Sequence, residues 1–208
     1  MAGNEQPIDL MLKSPKQQRA KLTVRLIFES TAQIILREGI DRLTTNRIAE
    51  VAGFSVGTLY QYFRNKEAIL LAMVSHEKDL MIAELDALFA RTEGQTLSER
   101  VTALVDFLMQ TFYQRRAIRR TIARAIFSQQ PLPSLYSVIA AVENHLAALF
   151  MASQTDGMRP LTPVAAYVAS RGLIGTLRAG ILEQSPWAGT EALRAELRRM
   201  MMAILSAD

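Results

Sequence analysis

"AGFSVGTLYQYFRNKE", residues 52–67, decides how this chain is to be read. The stretch holds Gly53 and Gly57, Phe54 and Phe63, Tyr60 and Tyr62 and Ser55, and it closes on Arg64 and Lys66. It follows "TNRIAEVA" (residues 45–52), a short amphipathic helix that Thr44 or Thr45 can cap. Gly53 can take the positive φ that a sharp turn between two helices demands. Ser55 is placed to cap the next helix, "VGTLYQYF", of barely two turns. Helix, tight turn and short helix make a helix-turn-helix. Ile48, Ala49 and Ala52 are apolar or small where two helices cross closely, and Leu59 and Phe63, four apart, plug the last helix onto them. Gly57, Thr58, Tyr60, Gln61 and Tyr62 are then expected off the buried stripe. A helix that enters the major groove needs such a hydrogen-bonding face, and a glycine on it lets the backbone come close to a neighbour. Tyr and Thr hydroxyls also donate to phosphates, and Lys66 adds a cation one turn on.

Upstream, residues 17–38 carry Val24, Ile27, Phe28, Thr31 and Ile35 at helical spacing, and Gly39 stops that helix. Residues 1–16, with Lys13 and Lys16, exceed what the motif needs and read as a flexible basic arm or a tail. Downstream, Asn65 can cap a long helix to about Arg91, broken by "TEGQT". Further helical stretches are expected at about 97–115, 117–128, 133–152, 163–184 and 190–206, with Pro131, Pro133, Pro160, Pro163 and Pro186 at the joints. Strand-like alternation and internal repeats are absent from the sequence. The expected class is all-α, with an arm (1–16), a helix-turn-helix domain (17–64) and a larger helical domain (65–208).

Composition bounds the function. Of the 208 residues, 50% are hydrophobic, enough for a sizeable core. The chain has no cysteine, which excludes disulfides, thiolate metal sites and a cysteine nucleophile. Two separate histidines, His76 and His145, leave little for a metal cluster, so neither metal nor cofactor is expected. No glycine-rich phosphate loop, nucleophile–base set or framed carboxylate pair is visible, so an enzyme is not expected. No apolar run reaches membrane-spanning length and no signal peptide is seen, so the expected location is the cytoplasm. The net charge of +4 is uneven: residues 1–66 hold ten Lys/Arg against six Asp/Glu, while the other 142 hold 14 of each. Excess positive charge confined to the segment with the helix-turn-helix points to a polyanion as its partner.

At residues 43–70, "LTTNRIAEVAGFSVGTLYQYFRNKEAIL", the chain resembles the DNA-binding signature of the TetR family of bacterial transcriptional repressors. The matching positions are Thr44-Thr45, Ile48-Ala49, Ala52-Gly53, Ser55, Gly57-Thr58, Tyr60, Tyr62-Phe63 and Lys66-Glu67, with Gly39 upstream. The resemblance covers about residues 20–72. It implies an all-α homodimer whose N-terminal domains bind a palindromic operator in double-stranded DNA and whose C-terminal domain binds a small molecule that lowers DNA affinity. Carried over by position, Thr45, Arg47, Gly57, Thr58, Tyr60, Gln61, Tyr62 and Lys66 would face DNA. Tyr62 and Lys66 would touch phosphate and Gln61 would read bases.

The C-terminal part is read more coarsely. Ala165, Ala169, Gly172, Thr176 and Ala179 put small residues on one helix face, and Leu193, Leu197, Met200, Met201 and Ile204 form one stripe of the last helix. These two helices either form a four-helix dimer interface, as the resemblance implies, or close the core of one chain. Candidate contacts for a small hydrophobic effector are Phe107, Phe127 and Tyr167, with Arg124 and Arg171 in apolar surroundings. A buried arginine wants an anion, either from a ligand or from Asp106 or Glu143. The cluster Arg115, Arg116, Arg119, Arg120 and Arg124 reads as a solvated face. The alternatives for the whole chain are an activator with the same DNA-binding unit, or a helical protein-interaction module.

Overall fold

The computed structural model describes residues 18–114, 133–153 and 155–207. Among them it has eight α-helices: α1 (Gln18–Glu38), α2 (Thr45–Ala52), α3 (Val56–Tyr60), α4 (Lys66–Arg91), α5 (Leu97–Met109), α6 (Pro133–Ala152), α7 (Pro163–Leu182) and α8 (Glu191–Leu205). The all-α class is as expected. The arm at residues 1–16 and the helix expected at 117–128 lie outside the described residues. Two compact units meet in the sequence between His76 and Glu77.

In the first unit α1 buries Val24, Ile27, Thr31, Ile34 and Ile35, one face at helical spacing. The Thr31 hydroxyl, buried on that face, donates to the Ile27 carbonyl at 2.7 Å and so leaves no unpaired group in the core. A three-residue turn, Ile40–Arg42, then delivers Leu43 into the core. Thr44 caps α2, its hydroxyl accepting from the Arg47 amide at 3.1 Å. Gly53 ends α2 in the left-handed region, φ 77 and ψ 28, where a side chain would cost energy. The Ser55 hydroxyl accepts from the Thr58 amide at 3.1 Å and starts α3, and Asn65 Oδ1 accepts from the Ala68 amide at 2.8 Å and starts α4. Ile48, Leu59, Phe63 and Ile69 are fully buried together with Leu43, and the Phe28 ring lies 6.0 Å from that of Phe63.

The second unit has its own core. Leu85 and Leu88 of α4, Val105 and Leu108 of α5, Leu146 and Phe150 of α6, Leu173 and Leu177 of α7, and Leu197 and Met201 of α8 all meet in it. Thr96 and Glu99 form a reciprocal capping box that starts α5. After Met109 the helix widens into one π turn, Gln110–Gln114, which turns Tyr113 inward. The Tyr113 hydroxyl donates to the Leu177 carbonyl at 2.9 Å, and burial pushes its pKa up to about 12. On α7, a Cβ at Gly180 would collide with that hydroxyl. Near the C-terminus the Arg159 amide donates to the Leu205 carbonyl at 3.0 Å and the Ala207 amide to the Gly157 carbonyl at 2.8 Å, a short antiparallel pairing around the Met158–Ser206 bridge.

The choice left open for the last helix is partly decided. Leu197 and Met201 are buried in the core of their own chain, with Leu193, Met200 and Ile204 packed against it. On α7, Ala169 is fully buried, and a Cβ at Gly172 would lie 3.6 Å from the Met200 sulfur. At these positions the close helix is therefore α8 of the same chain. Val164, Tyr167 and Val168 of α7 point outward instead, at 71%, 54% and 49% exposure.

Candidate nucleic-acid interface

The outward side of the helix-turn-helix is built by α2, α3 and the first turn of α4. Gly57, Tyr60 and Gln61 are exposed, and Thr45, Thr58 and Lys66 are half-buried. Tyr60 Oη and Thr45 Oγ1 share a hydrogen bond of 3.2 Å, which ties the end of α3 to the start of α2. Thr58 Oγ1 shares another with Ser55 Oγ at 3.0 Å. No carboxylate of the described residues pairs with Arg64 or Lys66. Gly57 has room around it: an added Cβ would meet only Ser55 Oγ, at an ordinary 3.7 Å. Among the described residues no steric contact requires glycine there, and glycine loses more backbone freedom on folding than alanine.

Two residues of the expected face are placed otherwise. Tyr62, expected off the buried stripe, is only 7% exposed. The cause is local. α3 ends at Tyr60, and the Tyr62 amide reaches back only three residues, to the Leu59 carbonyl at 2.9 Å. The tighter turn changes the angular phase and brings Tyr62 in beside Phe63. Arg47, expected to be open to a partner, is held by two carboxylates: its Nη2 donates to Glu38 Oε1 at 2.7 Å, its Nε to Glu38 Oε2 at 3.1 Å, and its Nη1 lies 2.8 Å from Glu50 Oε2. The hydrogen bonds from Arg47 hold the Glu38 carboxyl below its ordinary range, and those to Glu38 and Glu50 raise the guanidinium further. The pair braces α2 against α1. Glu50 is one helical turn away and could have been paired from spacing. Glu38, nine residues away across a turn, could not.

The three expected effector contacts among the described residues, Phe107, Tyr167 and Arg171, do not line one groove. Phe107 is buried, and with Glu84, Arg91 and Asp106 it lines an open groove of about 410 Å³. Tyr167 is exposed, with the Arg171 guanidinium over its ring at 3.9 Å. Neither lines that groove. The anion that Arg171 requires is the protein's own: Nε lies 3.5 Å from Glu143 Oε2, and Nη2 donates to Asn144 Oδ1 at 2.8 Å. Arg178 shares Glu143 at 3.5 Å. Asp106 is taken by Arg194 and Arg198, at 3.1 and 2.6 Å. Phe127, Arg124 and the neighbouring arginines 115, 116, 119 and 120 lie outside the described residues. Sequence reasoning missed the Asp106 cluster, because its partners stand 88 and 92 residues away. It also missed Asp86–His145, 2.6 Å between α4 and α6. Among the described residues no group of acids and histidines could hold a metal, and no helix is long and apolar enough to cross a membrane.

Comparison with known proteins bears on this geometry. Residues 27–73 match the family described as bacterial regulatory proteins, tetR family. An uncharacterized HTH-type transcriptional regulator of Haemophilus influenzae is 31% identical over 67 residues, 32% of this chain. The match spans 36% of that relative's own length. Among solved structures, a putative TetR-family regulator from Mesorhizobium loti superposes with a TM-score of 0.69 at 18% identity, over 90% of this chain and 95% of that one. FadR of Bacillus subtilis, solved in complex with stearoyl-CoA, gives 0.66 at 16% identity, over 86% of this chain and 97% of that one. The domain match lies on the helix-turn-helix, and the superpositions extend the same all-α fold over both units. Residues 27–73 thus match the DNA-binding domain of the tetR family of bacterial regulatory proteins, and the described remainder shares the all-α fold of the superposed structures.

Proposed function

We propose that the chain is a DNA-binding transcriptional regulator, working in the cytoplasm as a homodimer on a palindromic operator as a repressor. The observation that carries this is the outward face of α3. It is hydrogen-bonding, flanked by Lys66, which has no acidic partner among the described residues, and bare at Gly57, where none of those residues excludes a side chain. In this reading Gly57 lets a phosphate backbone approach α3, Lys66 and the Tyr62 hydroxyl contact phosphates, Gln61 reads a base edge, and Thr45, Thr58 and Tyr60 hold the register. Arg47 acts from behind by fixing α2. The last two helices make the dimer with their outward sides, on which Val164 and Val168 are exposed.

Release by a hydrophobic effector is part of the same reading. Its support is the acyl-CoA in the Bacillus subtilis relative and the continuity of α4, whose residues belong to both units. A helix of that length is about 40 Å long at 1.5 Å rise per residue. Two half-sites one helical turn apart, roughly 34–36 Å, tolerate little change in the separation of two recognition helices. A ligand that tilts α4 therefore lowers DNA affinity, and by linkage DNA lowers ligand affinity by the same factor.

The test is binding to random and selected duplexes at several salt concentrations. Lys66→Ala and Tyr62→Phe weaken all sequences alike, and Lys66→Ala reduces the salt slope by about 1. The Tyr62 ring is buried, so the substitution removes the hydroxyl alone. Gln61→Ala alters sequence preference instead. Lys66→Ala with unchanged affinity and slope removes the phosphate role. A wild-type chain that ignores DNA at low salt leaves the protein-interaction module as the reading.

A further inference from the structure

We propose that the second unit carries a site for a small organic anion with a short apolar tail, built around Arg100. Arg100 stands on the second turn of α5 and is half-buried. Its Nη1 donates to Thr155 Oγ1 and its Nη2 to Ser153 Oγ at 3.3 Å, and its guanidinium carbon lies 5.5 Å from the centre of the Phe89 ring. All these partners are neutral, and no carboxylate of the described residues pairs with it. The adjacent Glu99 is committed elsewhere: it accepts from the Thr96 amide at 2.9 Å and the Thr96 hydroxyl at 2.8 Å, and these bonds hold its carboxyl below the ordinary range.

The contrast with four partly buried arginines of the same unit, together with the cavity beside Arg100, is the reason to read this as a site. Arg171 and Arg178 share Glu143, and Arg194 and Arg198 share Asp106. Arg100 has a permanent charge, partial burial and only hydroxyl dipoles. A guanidinium offers five donors, and the two hydroxyls take two of them. A carboxylate accepts the remaining fork in two parallel bonds.

Arg100, Ser153 and Thr155 also line a mostly apolar cavity. Leu88, Phe89, Val101, Leu104, Phe150 and Leu205 line it, and all but Phe89 are 3% exposed or less. The antiparallel pairing of residues 157–159 with 205–207 closes it next to Met158 and Leu205. Its volume is about 30 Å³, space for one or two carbon atoms and far from the several hundred Å³ of a drug-sized pocket. The Ser153 hydroxyl proton is committed to the Leu149 carbonyl at 2.8 Å. The ligand class is therefore a carboxylate with a one- or two-carbon tail: head on Arg100 and Thr155, tail among the leucines. Bound there, it touches α4, α5, α6 and α8 at once and stabilises the second unit.

The site lies beyond the DNA-binding reading and its test uses free protein. Formate, acetate, propionate and hexanoate are titrated calorimetrically into the full chain, with 1-propanol and inorganic phosphate as controls, and melting curves follow the same mixtures. Acetate or propionate is expected to bind best, at least tenfold better than propanol, phosphate or hexanoate, and to raise the melting temperature. Arg100→Gln loses at least tenfold, Arg100→Lys loses less, and Val101→Phe, which fills the cavity, moves the preference to formate. Circular dichroism establishes that each variant is folded, and Val101→Phe reads the site independently of the arginine. Affinity that rises steadily to hexanoate, phosphate as good as propionate, full affinity in folded Arg100→Gln, or no carboxylate binding to wild type overturns the proposal. Each of these leaves the DNA reading standing.

Discussion

Gly57 on α3 and Gly180 on α7 are both glycines inside helices, one in each unit. At Gly180 a side chain would strike the buried Tyr113 hydroxyl, so the fold itself explains the residue. At Gly57 a side chain would meet only Ser55 Oγ, at an ordinary 3.7 Å, and the described residues give no steric reason for glycine. The same division runs through the charges. Four arginines of the second unit, Arg171, Arg178, Arg194 and Arg198, are matched to Glu143 and Asp106, whereas Arg64 and Lys66 of the first have no acidic partner among the described residues. A residue whose cost is recovered inside the unit is architecture. A residue whose cost is not recovered inside points to something outside, and in the first unit these residues share one face.

Five measurements test that contrast. The largest effect is expected under the face. Phe63→Ala empties the fully buried centre of the first unit and costs about 3–5 kcal/mol in urea unfolding, while Gln61→Ala, above the same core, stays within about 0.5 kcal/mol. Equal costs would mean that the outward face is structural. Next comes Gly180→Ala, which overpacks Tyr113 and costs about 1–3 kcal/mol. Combination with Tyr113→Phe, which removes the struck oxygen, recovers part of that loss; strict additivity would refute the contact.

Gly57→Ala has the opposite sign: stability rises by about 0.5–1 kcal/mol while DNA affinity falls. A stabilised protein with undiminished DNA affinity would remove the argument from bareness. The smallest effects are in pH. Tyr113 has a raised pKa in the fold, near 12, so its contribution is complete below the unfolded value of about 10 and is lost as pH rises towards 12. Tyr113→Phe flattens that alkaline decline in melting temperature. Glu38 is shifted the other way by Arg47, so its contribution is present above about pH 4.3 and fades as pH falls through its lowered folded value. Glu38→Gln removes that part of the acid dependence, and an unchanged acid limb would show the Arg47 brace to be idle.

What the sequence by itself determined is local in range. The stripe of α1, the caps Ser55 and Asn65, and the left-handed turn at Gly53 each follow from residues within one or two helical turns, and so does the placing of Leu59 with Phe63. The helix-turn-helix was legible because it consists of such rules in series. The tertiary structure decided what depends on distant partners or on the phase of a turn. The Arg47–Glu38 brace crosses a turn, and Tyr62 moved inward because one hydrogen bond reached three residues back instead of four. Tyr113 met the Leu177 carbonyl 64 residues away, and Arg100 met Thr155 at a separation of 55. Hydrophobic periodicity says that a face is buried without naming what covers it, since apolar contact is not directional. Only packing assigned Met200 to Gly172, Glu143 to Arg171, and hydroxyls alone to Arg100.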